Sequence, residues 1–214
     1  YLSLFEKYTK EGYEVVHLGF TAKLSSSFQN AVLAAGELEG VFPVDTKSLC
    51  TGMALLVIKA CEMRDAGLPA KEIAEQIALL REKVHTTFIL NTLDYLSRGG
   101  RCSAVTAFGA NLLSIKPSIE MVDGALEVGK KYRGKIETVY GQYIRDQLSD
   151  PDKLDLSRAF LSHSGGGISE ETLQAMKKEI LRCAPFQEVQ IIRAGCTISA
   201  HCGPKTATVM FMEK

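Results

Sequence analysis

The sequence predicts an α/β protein of two domains, and three observations carry that expectation. Over residues 1–85, short apolar runs alternate with helical stretches, the pattern of a parallel sheet. Beyond residue 85 the apolar runs follow one another more closely, as in an α+β domain. That second part also holds Asp123-Gly124, a hairpin turn signal between two strand-like runs.

Each element follows from its own pattern. Residues 2–11 read as an amphipathic helix, and the apolar run Glu14 to Phe20 as a buried parallel strand. The polar stretch Thr21 to Ser27 leads into a helix ending near Glu39, and Val41 to Thr46 is a second strand. Thr51 to Ala66 and Pro69 to His85 are two helices. Gly67 breaks them, and Pro69 stands where a missing N–H costs nothing. Two strands are few for a parallel sheet, so the remainder of this first domain is expected upstream of Tyr1.

In the second domain, residues 86–214, Thr87 to Thr92 is a strand and Leu93 to Ser97 a helical turn ended by Arg98-Gly99-Gly100-Arg101. Ser103 to Leu113 is helical. Ile115 to Val122 and Ala125 to Lys131 form the hairpin, and Lys135 to Leu148 is a helix. Arg158 to Ser164 is a strand and Ser169 to Ala184 a helix. Val189 to Arg193, Thr197 to His201 and Thr206 to Met212 read as closing strands.

Bulk properties exclude several classes. Acidic and basic side chains balance at 25 each over 214 residues, so no global field draws in nucleic acid or an anionic membrane. No apolar run approaches the roughly eighteen residues of a membrane span, and no segment reads as a signal peptide. The six cysteines (Cys50, Cys61, Cys102, Cys183, Cys196 and Cys202) form no C-x-x-C pair and suit buried thiols in a reduced, cytoplasmic protein. A zinc site would need closer clustering with His; Cys196, His201 and Cys202 are the only candidates, and no zinc site is expected of them. The reading assigns no cofactor, no metal and no catalytic residue.

Five motifs bear on chemistry. Leu24-Ser25-Ser26-Ser27-Phe28-Gln29 opens a helix after a strand, where free N–H groups and small hydroxyls suit an anion; Ser25 as a plain helix cap is the alternative. Asp45-Thr46-Lys47-Ser48 stands at a strand's carboxyl end, where open α/β sheets bind ligands, or is an ordinary loop. Arg98-Gly99-Gly100-Arg101 offers two guanidinium groups to a carboxylate or phosphate, or is a helix C-cap with solvated Arg. Gly195 to Pro204 holds His201 before a Gly-Pro turn, where a neutral imidazole could donate to an anion or simply be a core His. His163-Ser164-Gly165-Gly166-Gly167 lacks the Lys and the spacing of a P-loop and reads as a strand-to-helix turn. No G-x-S-x-G elbow and no G-x-G-x-x-G fingerprint occurs.

Taken in order, these motifs resemble the DegV family, which includes the fatty-acid-binding subunits of bacterial fatty acid kinases. Its S-S-x-L-S-G-T-Y-Q-S-A stands here as Thr21-Ala22-Lys23-Leu24-Ser25-Ser26-Ser27-Phe28-Gln29-Asn30-Ala31. Its D-S-x-x-x-S-x-G-x-G is matched by Asp45 to Ala54, its L-x-Y-L-x-R-G-G-R-I-S by Leu93 to Ser103, and its I-K-P by Ile115-Lys116-Pro117. Its G-x-x-I-x-x-H-x-G-P-G ends the chain's motifs as Gly195 to Lys205. Ser26, Ala54 and Lys205 replace family glycines, Cys50 replaces a Ser, and the family's T-S-Q-P-S segment is absent.

The resemblance implies a DegV-like pair of α/β domains with a long-chain fatty acid buried between them. By that analogy Ser25, Ser26 and His201 hold the carboxylate. Met53, Phe108, Leu112, Leu113 and Ile115 are tunnel-lining candidates, with plain core packing as the alternative. Arg98 and Arg101 are candidate contacts for a separate fatty acid kinase, which would make the acyl-phosphate. A lipid-sensing regulatory module, or a hydrolase or phosphotransferase using Ser25 with His201, are the alternatives. No nucleic acid partner and no stable membrane insertion are expected.

Overall fold

The computed structural model describes residues 1–101 and 115–214. These fall into two compact units: Tyr1–Val84 with Asp123–Ala125, and His85–Val122 with Leu126–Lys214.

The first unit is built on two parallel strands, β1 (Val15–Gly19) and β2 (Val41–Asp45), paired from Val15 opposite Val41 to Gly19 opposite Asp45. Helices α1 (Leu2–Lys10) and α2 (Ser27–Ala35) pack on them through Phe5, Ala31, Ala34 and Ala35, against Val15 and Val41. The small alanines of α2 let that helix approach the sheet closely. Helices α3 (Cys50–Asp65) and α4 (Ala70–Leu80) bury Leu55, Leu56, Ile73 and Ile77. Pro69 takes the N-cap of α4 with extended backbone, and a single 3-10 turn, Arg81–Lys83, replaces the last part of the expected helix.

The second unit is a mixed sheet. In spatial order it runs β6 (Ala125–Arg133), β5 (Ile115–Val122), β4 (Thr87–Ile89), β9 (Ala207–Glu213), β7 (Leu154–His163) and β8 (Glu188–Arg193), with β3 (Val84–His85) also beside β9. Its central strands are antiparallel, while β7 and β8 are parallel. Asp123 and Gly124 both have positive φ, 46° and 80°, the two-residue turn that the pair predicts. Helix α6 (Ile136–Gln147) and helix α7 (Glu170–Cys183) supply Val139, Tyr143, Ile144, Met176 and Ile180 to one core with Ala159, Leu161, Val209 and Phe211. Ser169 caps α7, its hydroxyl accepting from the N–H of Thr172.

One expected strand is a helix. Thr197 to His201 lies in α8 (Cys196–Cys202), not in a strand. Ile198 and Cys202, four residues apart, turn inward, while Cys196, Thr197 and Ala200 are exposed. That is helical spacing, and Gly203 with φ 76° ends the helix where most residues would be strained. β-branched Thr197 and Ile198 suggested a strand, but seven residues closed by glycine cannot show enough alternation to test it.

The thiols are less buried than expected. Cys202 is buried, Cys50, Cys61 and Cys183 are half-buried, and Cys196 is exposed; none of the five forms a disulfide among the described residues. Cys102 lies outside the described residues.

Candidate functional site

In the first unit, both loops that follow the strands leave from the carboxyl edge of the sheet and enter helix starts. They are tied to each other. The N–H and hydroxyl of Thr46 both donate to the carbonyl of Gly19, at 3.2 and 2.7 Å. The N–H of Thr21 donates to the carbonyl of Ser48 at 3.2 Å. The carboxylate of Asp45 accepts from the N–H of Ala22 at 3.3 Å and from that of Lys47 at 2.9 Å. Thr21, Thr46 and Ser48 are buried, so the bonds of these three satisfy groups that water does not reach.

This frame presents the serines. Ser26 is the N-cap residue of α2, exposed, and its side chain caps nothing. Ser25 is half-buried, and its Oγ accepts from the N–H of Ser27 at 3.1 Å. A hydroxyl that accepts there keeps its proton for a ligand, so capping and anion binding are compatible roles. Ser27 is the first residue of α2. Gly19 makes the approach possible: a Cβ there would fall 2.4 Å from the Phe28 ring. Met53 lies half-buried in the first turn of α3.

In the second unit, His201 sits in the last turn of α8, half-buried, against α5 (Asp94–Gly99). Gly99 lies directly beneath its ring, since a Cβ there would fall 2.3 Å from Nδ1. The reverse relation holds one step away. A Cβ on Gly203 would fall 2.3 Å from the ring of Tyr95, which comes from α5. Thus the R-G-G-R and H-x-G-P motifs, a hundred residues apart, form one joint of two rings and two glycines. Gly203 and Tyr95 were not singled out from sequence; the glycine in each motif was the available signal.

The R-G-G-R turn is the C-cap of α5, with Gly100 in the left-handed region at φ 66°. Arg98 and Arg101 are both exposed, and Arg101 Nη1 donates to the carbonyl of Gly99 at 2.8 Å. Ile115 opens β5 and is half-buried. Lys116 donates from Nζ to the carbonyl of Asn91 at 2.6 Å, and burial lowers its pKa. Phe108, Leu112 and Leu113 lie outside the described residues.

The H-S-G-G-G loop wraps the His201 turn. Gly165, Gly166 and Gly167 all have positive φ, and Gly166 packs on Pro204. Lys205, in the place of a family glycine, also has positive φ, 59°, and reaches Glu137 at 2.8 Å. Among the described residues no group of three or more His, Cys, Asp or Glu side chains is placed to hold a metal ion, the Cys196, His201 and Cys202 trio included. No helix among them is long and apolar enough to cross a membrane. A cavity of about 630 Å³ in the first unit lies elsewhere, between α1, β1, α3 and α4, and none of Ser25, Ser26 or Met53 lines it.

Fold and loops together define a two-unit α/β protein whose first unit ties two loops and two helix starts together at one sheet edge. The chain belongs to the DegV family: the family's model, described as an uncharacterised protein of the DegV family, matches residues 1–214. A DegV domain-containing protein of Clostridium acetobutylicum is 30% identical, over 98% of this chain and 74% of its own length. A solved DegV family protein from Thermus thermophilus, described for fatty acid binding, superposes with a TM-score of 0.85 at 27% identity, covering 100% of this chain and 75% of that one. The fatty acid kinase B3 protein of Streptococcus pneumoniae, solved with linoleic acid, shares the fold with a TM-score of 0.84 at 23% identity, covering 100% and 75%.

Proposed function

We propose that this chain binds one long-chain fatty acid and presents its carboxylate to a separate fatty acid kinase in the cytoplasm, without catalysing a reaction itself. In this reading residues 1–85 and 86–214 are the two domains. Ser25, Ser26 and His201 contact the carboxylate, Met53 and Ile115 line the acyl tunnel, and Arg98 with Arg101 face the kinase.

The observation that carries the reading is the seating of His201. A polar ring fixed on a glycine, in a chain that matches a fatty-acid-binding DegV protein over its whole length, is suited to a buried anion. The energetics are adequate. A sixteen-carbon acid has about fourteen methylenes at about 0.8 kcal/mol each, a gross gain of about 11 kcal/mol before ordering costs. A buried carboxylate needs several donors, and a hydroxyl, an imidazole and helix-start N–H groups provide them.

The test is mass spectrometry of the purified protein under native and denaturing conditions. The two masses should differ by one fatty acid, which solvent extraction then identifies. A protein that stays empty after incubation with palmitic, oleic and linoleic acids overturns the reading.

A further inference from the structure

Ser164 ends the β7 run, in a loop that the ligand chemistry leaves unused. Strands β7 and β9 are in register up to His163 opposite Ala207, and Ser164 continues that ladder by one residue. Its N–H donates to the carbonyl of Thr206 at 3.0 Å. Its hydroxyl does two things at once: it donates to the carbonyl of Gly203 at 2.6 Å and accepts from the N–H of Thr206 at 3.2 Å. Its carbonyl shares the hydroxyl proton of Ser199 with the carbonyl of Ala194, each at 3.4 Å.

These four bonds grip α8 and its exit on both sides of His201. Ser199 lies two residues before it and Gly203 two after. Gly203 and Thr206 are buried, so water cannot replace the serine hydroxyl at no cost. The rest of the turn is held independently. The N–H of Gly203 donates to the carbonyl of Ser199 at 2.9 Å, the Thr206 hydroxyl to Cys202 at 2.8 Å, and the Tyr140 hydroxyl to Lys205 at 2.7 Å. Loss of Ser164 therefore loosens the turn without dismantling it.

We propose that Ser164 is the positioning residue for His201: it transmits the rigidity of the central strands to the short helix that carries the imidazole. That the aligned ring then contacts a carboxylate rests on the function proposed above, whereas the positioning itself does not.

The experiment compares wild type with Ser164→Ala, Ser164→Thr and His201→Ala as delipidated protein. The His201 ring signals are assigned by their loss in His201→Ala and followed by ¹⁵N–¹H NMR. In Ser164→Ala they should shift and broaden, and in Ser164→Thr, which keeps the hydroxyl, they should return to the wild-type positions. Displacement of a fluorescent fatty acid by palmitate should show affinity about tenfold weaker in Ser164→Ala and restored in Ser164→Thr. Unmoved His201 signals in Ser164→Ala overturn the proposal. Moved signals with wild-type affinity in both Ser164→Ala and His201→Ala support the positioning role and remove His201 from the carboxylate site. Weak binding in His201→Ala with unchanged binding in Ser164→Ala overturns the proposal, because the ring would then find its place without the serine. If Ser164→Ala does not fold, Ser164→Cys, close in size but a weak donor and acceptor, takes its place, and unmoved signals there overturn the proposal too.

Discussion

Gly99 lies beneath the imidazole of His201 so closely that a Cβ on it would stand 2.3 Å from Nδ1. The ring occupies the space of the side chain that Gly99 lacks. Gly99→Ala should therefore displace His201, lowering stability by about 1–3 kcal/mol, the usual cost of overpacking. Gly203→Ala should cost more, because it meets the Tyr95 ring at the same distance and also forces a side chain onto positive φ. Thermal unfolding of both variants checks the order.

Ser25→Ala should weaken fatty-acid binding more than Ser27→Ala. Ser25 presents a hydroxyl that is braced by the Ser27 N–H, whereas Ser27 begins the helix itself. Loss of one hydrogen bond to a charged group costs about 1.5–3 kcal/mol. His201→Ala should act in the same direction. A displacement assay with one fatty acid measures all three, and equal affinities for wild type and Ser25→Ala would leave Ser25 as a brace alone.

Arg98→Ala and Arg101→Ala should leave lipid affinity and melting temperature unchanged and slow phosphorylation by the cognate kinase. Both side chains are exposed, and the contact found for Arg101 is to the Gly99 carbonyl, a surface bond of small worth. A fall in melting temperature matched by loss of lipid would instead make either Arg a structural residue.

Stability should fall as pH drops through the imidazole range. Burial, and then Arg193, holds the pKa of His163 below its ordinary 6.5, with Glu170 opposing. Burial lowers that of His17 likewise. Below 6.5 the unfolded chain takes up protons that the folded chain refuses, so the contribution is complete above that value and is lost beneath it. His163 Nδ1 also accepts from the Gly165 N–H at 3.1 Å, a bond that protonation removes. Melting temperatures at about pH 7.5 and about pH 5.5 should differ less in His163→Gln than in wild type. Further down, Glu179, held to about 2 chiefly by Arg182, loses its contribution as pH falls from 4.5.

Much of this was legible in the sequence where a pattern is long enough to repeat. The strands β1 and β2, the Asp123-Gly124 hairpin and helices α6 and α7 fall where periodicity and turn chemistry put them. Helix α8 was not, because seven residues with two β-branched side chains carry no decisive period. Among the site residues, the motifs pointed to Ser25, His201 and the paired arginines by resemblance. The roles of Gly203, Tyr95 and Ser164 depend on which loops meet in three dimensions, and no local pattern encodes that.

Asp45 leaves a last mark on how the first unit moves. One carboxylate accepts from the backbone of both loops at the carboxyl edge of the sheet, through Ala22 and Lys47. Together with the Thr46–Gly19 and Thr21–Ser48 bonds, this shared carboxylate should make the two loops open as a single cooperative unit rather than as two independent flaps. The amides of Ala22 and Lys47 should then exchange with deuterium at matched free energies of opening, and Asp45→Ala should speed exchange at both while the Thr46–Gly19 and Thr21–Ser48 bonds keep the loops joined.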